Sequence, residues 1–413
     1  ALPLSLTEPT FIQFDRQLIM NRRLFLSALA AAPVAASAVR PLGSLESLLR
    51  SLTGEGRLSA SMWTYLWDIV DEGYESVLLR LKENGLTSVS LATAYHAGKF
   101  LAPHNPKRKV VFLEDGTVYF KPHPKLYGRI KPRTNSLVQQ GHGLATVKRH
   151  ADKAGLQTRA WVVCCHNTPL GMKYPDIACE NAFGDRLYHN LCPSNSDVRK
   201  YIRALVTDIA SHGVDAIELE ALQFQGYSHG FHHEREGIEL TSATRFLLGL
   251  CFCSACRQRA RESRLDLEPI RTFVKQTLET YFANSSAIAD KYATVNDLPS
   301  DLFDPFLEWR KSMIVSFVEE LADAVKSTKL RPLMHVDPMA RKLVSVDPPR
   351  IAAATGGILA LGYVKEGNAL RAPLSALQSS VGNSEVTLGL QVGLPESGGR
   401  KEFLDKMSVG KEL

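Results

Sequence analysis

GVDAIELEALQFQGYSHGFHHE, residues Gly213 to Glu234, opens as a β-strand and ends in a histidine-rich loop. Glu218 and Glu220 stand two residues apart, so in a strand they point to the same face. Two acids on one buried face repel each other and resist desolvation, a cost that a working site can use. His229, His232 and His233 follow at once. A strand that ends in acids and runs into such a loop fits the catalytic rim of a parallel α/β enzyme.

Working outward, strand-like and helix-like segments alternate. Strands are expected at 62–67, 87–92, 158–163, 216–219, 331–336, 357–363 and 386–392. Helical patterns lie between them, among them Tyr74 to Asn84, Ser196 to His212 and Phe303 to Ser327. Alternating βα units of this size predict a parallel sheet, most simply a (β/α)₈ TIM barrel over residues 60–413. Seven strands are identifiable, and a helix-like Lys401 to Met407 follows the seventh. The expectation is an eighth strand lost by truncation at the C-terminus, with an open doubly wound sheet as the alternative. Long insertions are expected at 95–140, with a hairpin turn at Glu114-Asp115-Gly116, and at 221–300.

The segment from Met20, MNRRLFLSALAAAPVAASA, has a basic start, a short apolar run and Ala36-Ser37-Ala38. It predicts a signal peptide over 20–38, and Arg22-Arg23 make it twin-arginine in type, hence export. Residues 1–19 read as upstream read-through. The apolar run is too short for a stable membrane span. The chain of 413 residues carries a net charge of +6, spread out, which predicts no nucleic-acid partner. No organic cofactor is expected.

All seven cysteines lie between 164 and 256. Cys251-Phe252-Cys253-Ser254-Ala255-Cys256 is C-x-C-x₂-C, and Cys192 is available as a fourth ligand. Thiols so close favour a structural zinc, with disulfides as the alternative in an exported protein. Cys164 and Cys165 are expected to line the barrel.

Cys192-Pro193 followed by C-x-C-x₂-C about sixty residues later resembles the zinc cluster of glycoside hydrolase family 42 β-galactosidases. In that family an Asn-Glu pair on the fourth strand carries the general acid. The resemblance implies that role for Glu220, although Leu219 stands where the Asn is expected. AYHAGKFLAPHNPKRKV, LCPSNSDVRKYIRAL, GVDAIELEAL and CFCSACRQRA also resemble uncharacterised glycosyl-hydrolase-type barrels of bacteria. By the same analogy the nucleophile belongs at the seventh strand, which points to Glu396.

Glycoside hydrolysis uses two carboxylates that flank the bond. Repulsion between Glu218 and Glu220 favours holding a proton between them, as a general acid requires. Glu220 is the expected acid/base, with Glu396 or Asp337 as its partner. The bland alternative for Glu218 is a structural carboxylate paired with Arg or Lys inside the barrel. Tyr95, His96, His166, Asn167, Gln223, His229, His232, His233, His335, Tyr363 and Gln391 are the expected sugar contacts. Trp63, Tyr65 and Trp67 alternate on the first strand, either to stack on a sugar or to fill the core. The leading expectation is an exported glycoside hydrolase with a carbohydrate substrate. The alternatives are a metal-dependent sugar lyase or isomerase, using His96, His166, His229 and His335 with Glu218, and a non-catalytic glycan-binding barrel.

Overall fold

The computed structural model describes residues 59–228, 234–391 and 397–412. Its centre is a mixed α/β arrangement built on seven parallel strands: β1 (Ser61–Thr64), β2 (Ser88–Tyr95), β3 (Gln157–Val163), β4 (Ala216–Glu220), β5 (Lys329–His335), β6 (Gly357–Leu361) and β7 (Glu385–Gly389). Each pairs in parallel with the next, so spatial order equals chain order.

Helices separate the strands because the intervening segments carry a stripe of apolar residues at helical spacing. Helix Ser196–Ser211, between β3 and β4, buries Val198, Ile202, Leu205 and Ile209, and Asn195 caps it by accepting from the Asp197 and Val198 backbone N–H groups. Tyr74–Glu83, Leu144–Lys153, Ser300–Ala324, Pro348–Thr355 and Gly367–Val381 fill the other gaps, and Arg400–Glu412 follows β7. No helix among the described residues is long and apolar enough to cross a membrane.

Among the described residues the sheet curls without a closing ladder. Trp63 on β1 packs against Leu333, Leu359 and Leu361 of β5 and β6. A Cβ on Gly389 of β7 would meet the Trp63 ring at 2.7 Å, so only glycine allows this approach. The first and last strands therefore touch through a side chain, yet no hydrogen-bonded ladder joins them among the described residues.

Two local expectations need correction. The first strand ends at Thr64, and helix Leu66–Glu72 begins two residues later, so Trp67 is helical. Tyr65 and Trp67 are core, 1% and 4% exposed. The Glu114-Asp115-Gly116 turn does not close a hairpin between its flanking strands. Gly98–Leu101 pairs with Val110–Leu113, and the turn then sends Thr117–Val118 antiparallel onto the end of β2. Gly116 has φ +61°, and the Asn167 amide occupies the space a Cβ would need.

Candidate functional site

β4 is buried along its whole length, and its alternation sends Glu218 and Glu220 to the interior. Glu218 is saturated. Its Oε2 accepts from the Trp63 indole at 2.6 Å and from the Ser90 hydroxyl at 2.7 Å, and its Oε1 accepts from Arg159 at 2.5 Å. Trp63, Ser90 and Arg159 come from β1, β2 and β3, so one carboxylate ties three strands to β4.

Glu220 sits at the strand's C-terminal end and accepts from the Trp161 indole at 2.5 Å. Aromatic rings wall it in. Tyr65 and Tyr95 meet edge-on with centroids 5.3 Å apart, and both touch Trp161, at 5.8 and 5.0 Å. Burial raises the pKa of each phenol; the neighbouring Tyr95 and then Glu220 add to this for Tyr65, and Glu220 does so for Tyr95. Tyr65 and Tyr95 thus pack on the ring whose indole N–H holds Glu220.

Immediately after Glu220 the backbone is strained. Ala221 has φ +54°, in the left-handed region that non-glycine residues avoid. Cys164 N donates to Glu220 O and Cys165 N to Ala221 O, each at 2.8 Å, which pins the turn to the end of β3. Both cysteines are buried.

A second aromatic line runs away from Glu220. His96 stacks on Tyr95 at 4.3 Å and on His166 at 4.4 Å, and His166 meets His189 edge-on at 6.0 Å. His189 lines a cavity of about 280 Å³ with Arg186, Tyr188, Tyr227, Glu234 and Glu236. The antiparallel pair Ala178–Glu180 and Arg186–Leu191 positions that wall.

Other expected contacts are scattered. Asn167 caps helix Thr168–Lys173 by accepting from Leu170 N at 3.0 Å. Gln223 borders a small space with Leu219 of β4 and with Ile314 and Val318 of helix Ser300–Ala324. His335 ends β5 edge-on to Tyr363, with centroids 5.9 Å apart. Gln391 follows β7. Asp337 is an N-cap: its carboxylate accepts from Met339 N and Ala340 N at 3.0 and 3.3 Å. Glu396, His229, His232 and His233 lie outside the described residues. Residues the sequence reading did not single out include Ser90, Arg159, Trp161 and His189. Arg159 and Trp161 could have been found as an i, i+2 pair on the inner face of β3.

The cysteines form a separate centre. The Sγ atoms of Cys192, Cys251, Cys253 and Cys256 all lie within 4.8 Å of one another, and all four residues are buried. Cys192 is 3.5 Å from Cys256, 3.6 Å from Cys253 and 3.9 Å from Cys251. Disulfide sulfurs sit at about 2 Å, so these are free thiols, and together they can hold a metal ion. Among the described residues no other group of three or more His, Cys, Asp or Glu side chains is close enough to share an ion.

No family model and no curated protein matches the chain. Among solved structures it is similar to a β-galactosidase from the psychrophilic Marinomonas ef1, at 9% identity and TM-score 0.40, covering 75% of this chain and 42% of that one. It is similar to the α-L-fucosidase isoenzyme 2 from Paenibacillus thiaminolyticus, at 13% identity and TM-score 0.36, covering 83% and 45%. It is also similar to a β-galactosidase from Bacillus circulans sp. alkalophilus, at 11% identity and TM-score 0.42, covering 88% and 57%. The chain spans less than two thirds of the length of each of these proteins.

Proposed function

We propose that this chain is an exported glycoside hydrolase that acts on a carbohydrate by carboxylate general acid/base catalysis. Glu220 is the acid/base. The observation that carries this reading is its setting: a carboxylate at the C-terminal end of a parallel strand, held by the Trp161 indole, on which Tyr65 and Tyr95 pack. Aromatic faces and fixed donors around one acid suit a sugar ring, whose C–H faces stack while its hydroxyls hydrogen-bond. Glu220 would protonate the departing glycosidic oxygen, and the partner carboxylate would act on the opposite face of the ring.

For that partner we assign Glu396. Asp337 already serves two backbone N–H groups of its own helix, and Glu218 already accepts from three side chains. The wider reading is a (β/α)₈ barrel over residues 60–413, supported by seven parallel strands whose spatial order follows the chain. A structural zinc at Cys192, Cys251, Cys253 and Cys256 belongs to the same reading, as does the likeness to the family 42 cluster. Tetrahedral zinc with Zn–S of about 2.3 Å sets its sulfurs about 3.8 Å apart, close to the 3.5–3.9 Å from Cys192 to the other three. Export follows from the twin-arginine-type segment at 20–38.

The test is a panel of glycosides offered to the reduced, zinc-supplemented protein and to its Glu220→Gln form. Turnover of a glycoside by the parent, and its loss by about 10²–10⁴-fold in the variant with sugar binding retained, is the expected result. An unimpaired Glu220→Gln enzyme removes the assignment.

A further inference from the structure

The cavity beside His189 is a separate space from the carboxylate site, but the backbone joins the two. Cys165 N donates to Ala221 O, and Leu191 N donates to Cys165 O, each at 2.8 Å. Segments paired in this way lie about 4.8 Å apart, so strand Arg186–Leu191 runs within about 10 Å of the turn after Glu220. The loop that leaves β4 makes the same journey. Tyr227, the seventh residue after Glu220, is on the cavity wall, and the Asn190 amide donates to Gly226 O at 2.6 Å, which ties that loop to the strand.

Two tyrosines line the cavity, and a glycine seats the backbone of each. A Cβ on Gly249 would lie 2.4 Å from Tyr227 N, and one on Gly171 would lie 1.9 Å from Tyr188 O. Only glycine lets the chain approach so closely. Tyr188 is 39% exposed, while the next three residues of its strand, His189, Asn190 and Leu191, are buried. A bare aromatic ring thus stands on a fixed backbone. The charges of the wall cancel, Arg186 and Arg235 against Glu234 and Glu236. Arg186 also pairs with Glu180 at 2.5 Å, and Arg245 holds Glu236 at 2.5 and 2.7 Å. Such a wall offers a charged ligand no net attraction. Two aromatic faces among hydrogen-bonding groups suit an uncharged sugar.

We propose that this cavity is an outer sugar subsite serving Glu220: it takes one uncharged ring of a carbohydrate chain whose scissile bond lies at Glu220. Tyr95, His96 and His166 stand between Trp161 and His189 in the line of packed rings, so the two sites do not share one sugar ring. The substrate class is therefore a neutral oligosaccharide or polysaccharide longer than a disaccharide. At about 280 Å³ the space falls just below the roughly 300–1,000 Å³ of pockets for drug-sized ligands, which fits a single ring. Binding energy gained away from the reacting bond is expressed in turnover as well as in affinity, so a longer chain raises kcat/KM. This inference rests on the glycoside hydrolase reading above.

The experiment offers aryl monoglycosides of glucose, galactose, mannose and xylose, and the matching oligosaccharides up to the pentasaccharide, to the full chain, Tyr188→Ala and Tyr188→Phe. The readout is kcat/KM on the pentasaccharide divided by kcat/KM on the aryl monoglycoside of the same sugar. The expected result is a ratio that rises with chain length in the parent, falls about 10–100-fold in Tyr188→Ala, and is largely kept by Tyr188→Phe, which retains the ring. Thermal midpoints report whether the variants fold. A parent ratio that does not rise with chain length overturns the subsite and leaves the hydrolase reading standing, and that arm needs no variant. An unchanged ratio in a folded Tyr188→Ala protein does the same. Oligogalacturonate and chitosan oligomers, chains that carry charge, should compete poorly with the neutral pentasaccharide, and strong competition by either overturns the uncharged ligand. A parent that cleaves nothing in the panel overturns the hydrolase reading and the subsite with it.

Discussion

Trp161 on β3 donates its indole N–H to Glu220 on β4 at 2.5 Å. In the parallel register, Trp161 lies beside Glu218 and Arg159 beside Ala216. Each nevertheless reaches one inward position further along β4, Trp161 to Glu220 and Arg159 to Glu218. The two carboxylates are thus served by the same diagonal step, but with different chemistry: a cation at the lower one and a neutral donor in an aromatic wall at the upper one.

Trp161→Phe keeps the ring and deletes the donor. A hydrogen bond to a charged group contributes about 1.5–3 kcal/mol, and each 1.4 kcal/mol is a factor of ten. If Trp161 aims Glu220 in the transition state, kcat falls about 10–100-fold while KM holds. Steady-state kinetics on the glycoside that the parent turns over measures this. A raised KM at constant kcat would instead assign Trp161 to sugar binding.

At the lower carboxylate the expected readout is stability. Glu218 and Arg159 have side-chain exposures of 2% and 13%. Glu218→Met leaves the guanidinium without its carboxylate in the interior and should cost about 3–5 kcal/mol. Replacing both partners with Met should cost clearly less than the sum of the single changes, because neither charge is then stranded. Urea unfolding of the parent, the two single variants and the double variant closes the cycle. Additive losses would mean the pair is not coupled.

Much of the scaffold is legible in the sequence, since short strand-like segments alternating with helical patterns mark all seven parallel strands. The first strand was overextended because Trp63, Tyr65 and Trp67 mimic alternation, while the chain turns into a helix at Leu66. The carboxylates of β4 were legible because they break an apolar run. Their partners were not, since which residues of β1, β2 and β3 face Glu218 depends on register between strands far apart in sequence. Asp337 shows the reverse failure. Asp-Pro before a helical segment is an N-cap signature, although its place just after a strand makes it resemble a strand-end acid.

Asp337→Ala should accordingly cost about 0.5–2 kcal/mol, and Asp337→Asn far less, because Asn caps as well as Asp. Neither should abolish turnover if Glu396 is the partner of Glu220. Thermal melts and kcat, measured together, separate the roles. An Asp337→Asn protein that folds normally but has lost turnover would make Asp337 the catalytic partner.

His335 supplies a pH signature. Burial lowers its pKa, Asp337 raises it, and Arg341 lowers it, with burial winning. A histidine depressed in the folded state binds its proton more readily when unfolded. Its contribution is therefore present above the unfolded pKa of about 6.5 and is lost as pH falls through the folded value. The ring should titrate below 6.5 by NMR. His335→Gln should flatten the stability profile on the acid side of pH 6.5 relative to the parent. A normal or raised midpoint would contradict the burial argument.

The strain at Ala221 gives the sharpest separation of stability from function. A left-handed non-glycine residue costs about 1–2 kcal/mol, and such strain persists where surrounding contacts over-determine it. Here the backbone bonds from Cys164 and Cys165 do so, one residue beyond Glu220. Ala221→Gly relieves the strain but makes the unfolded chain more flexible, by about 0.4–1 kcal/mol. The net change in stability should be near zero or favourable. Ala221→Val adds a branched Cβ to the same backbone and should lose about 1–3 kcal/mol. If the turn exists to hold Glu220 at one angle, the glycine variant should turn over more slowly at unchanged or higher thermal stability. If Ala221→Gly is both fully active and markedly less stable, the turn is ordinary packing and its position after Glu220 has no catalytic meaning.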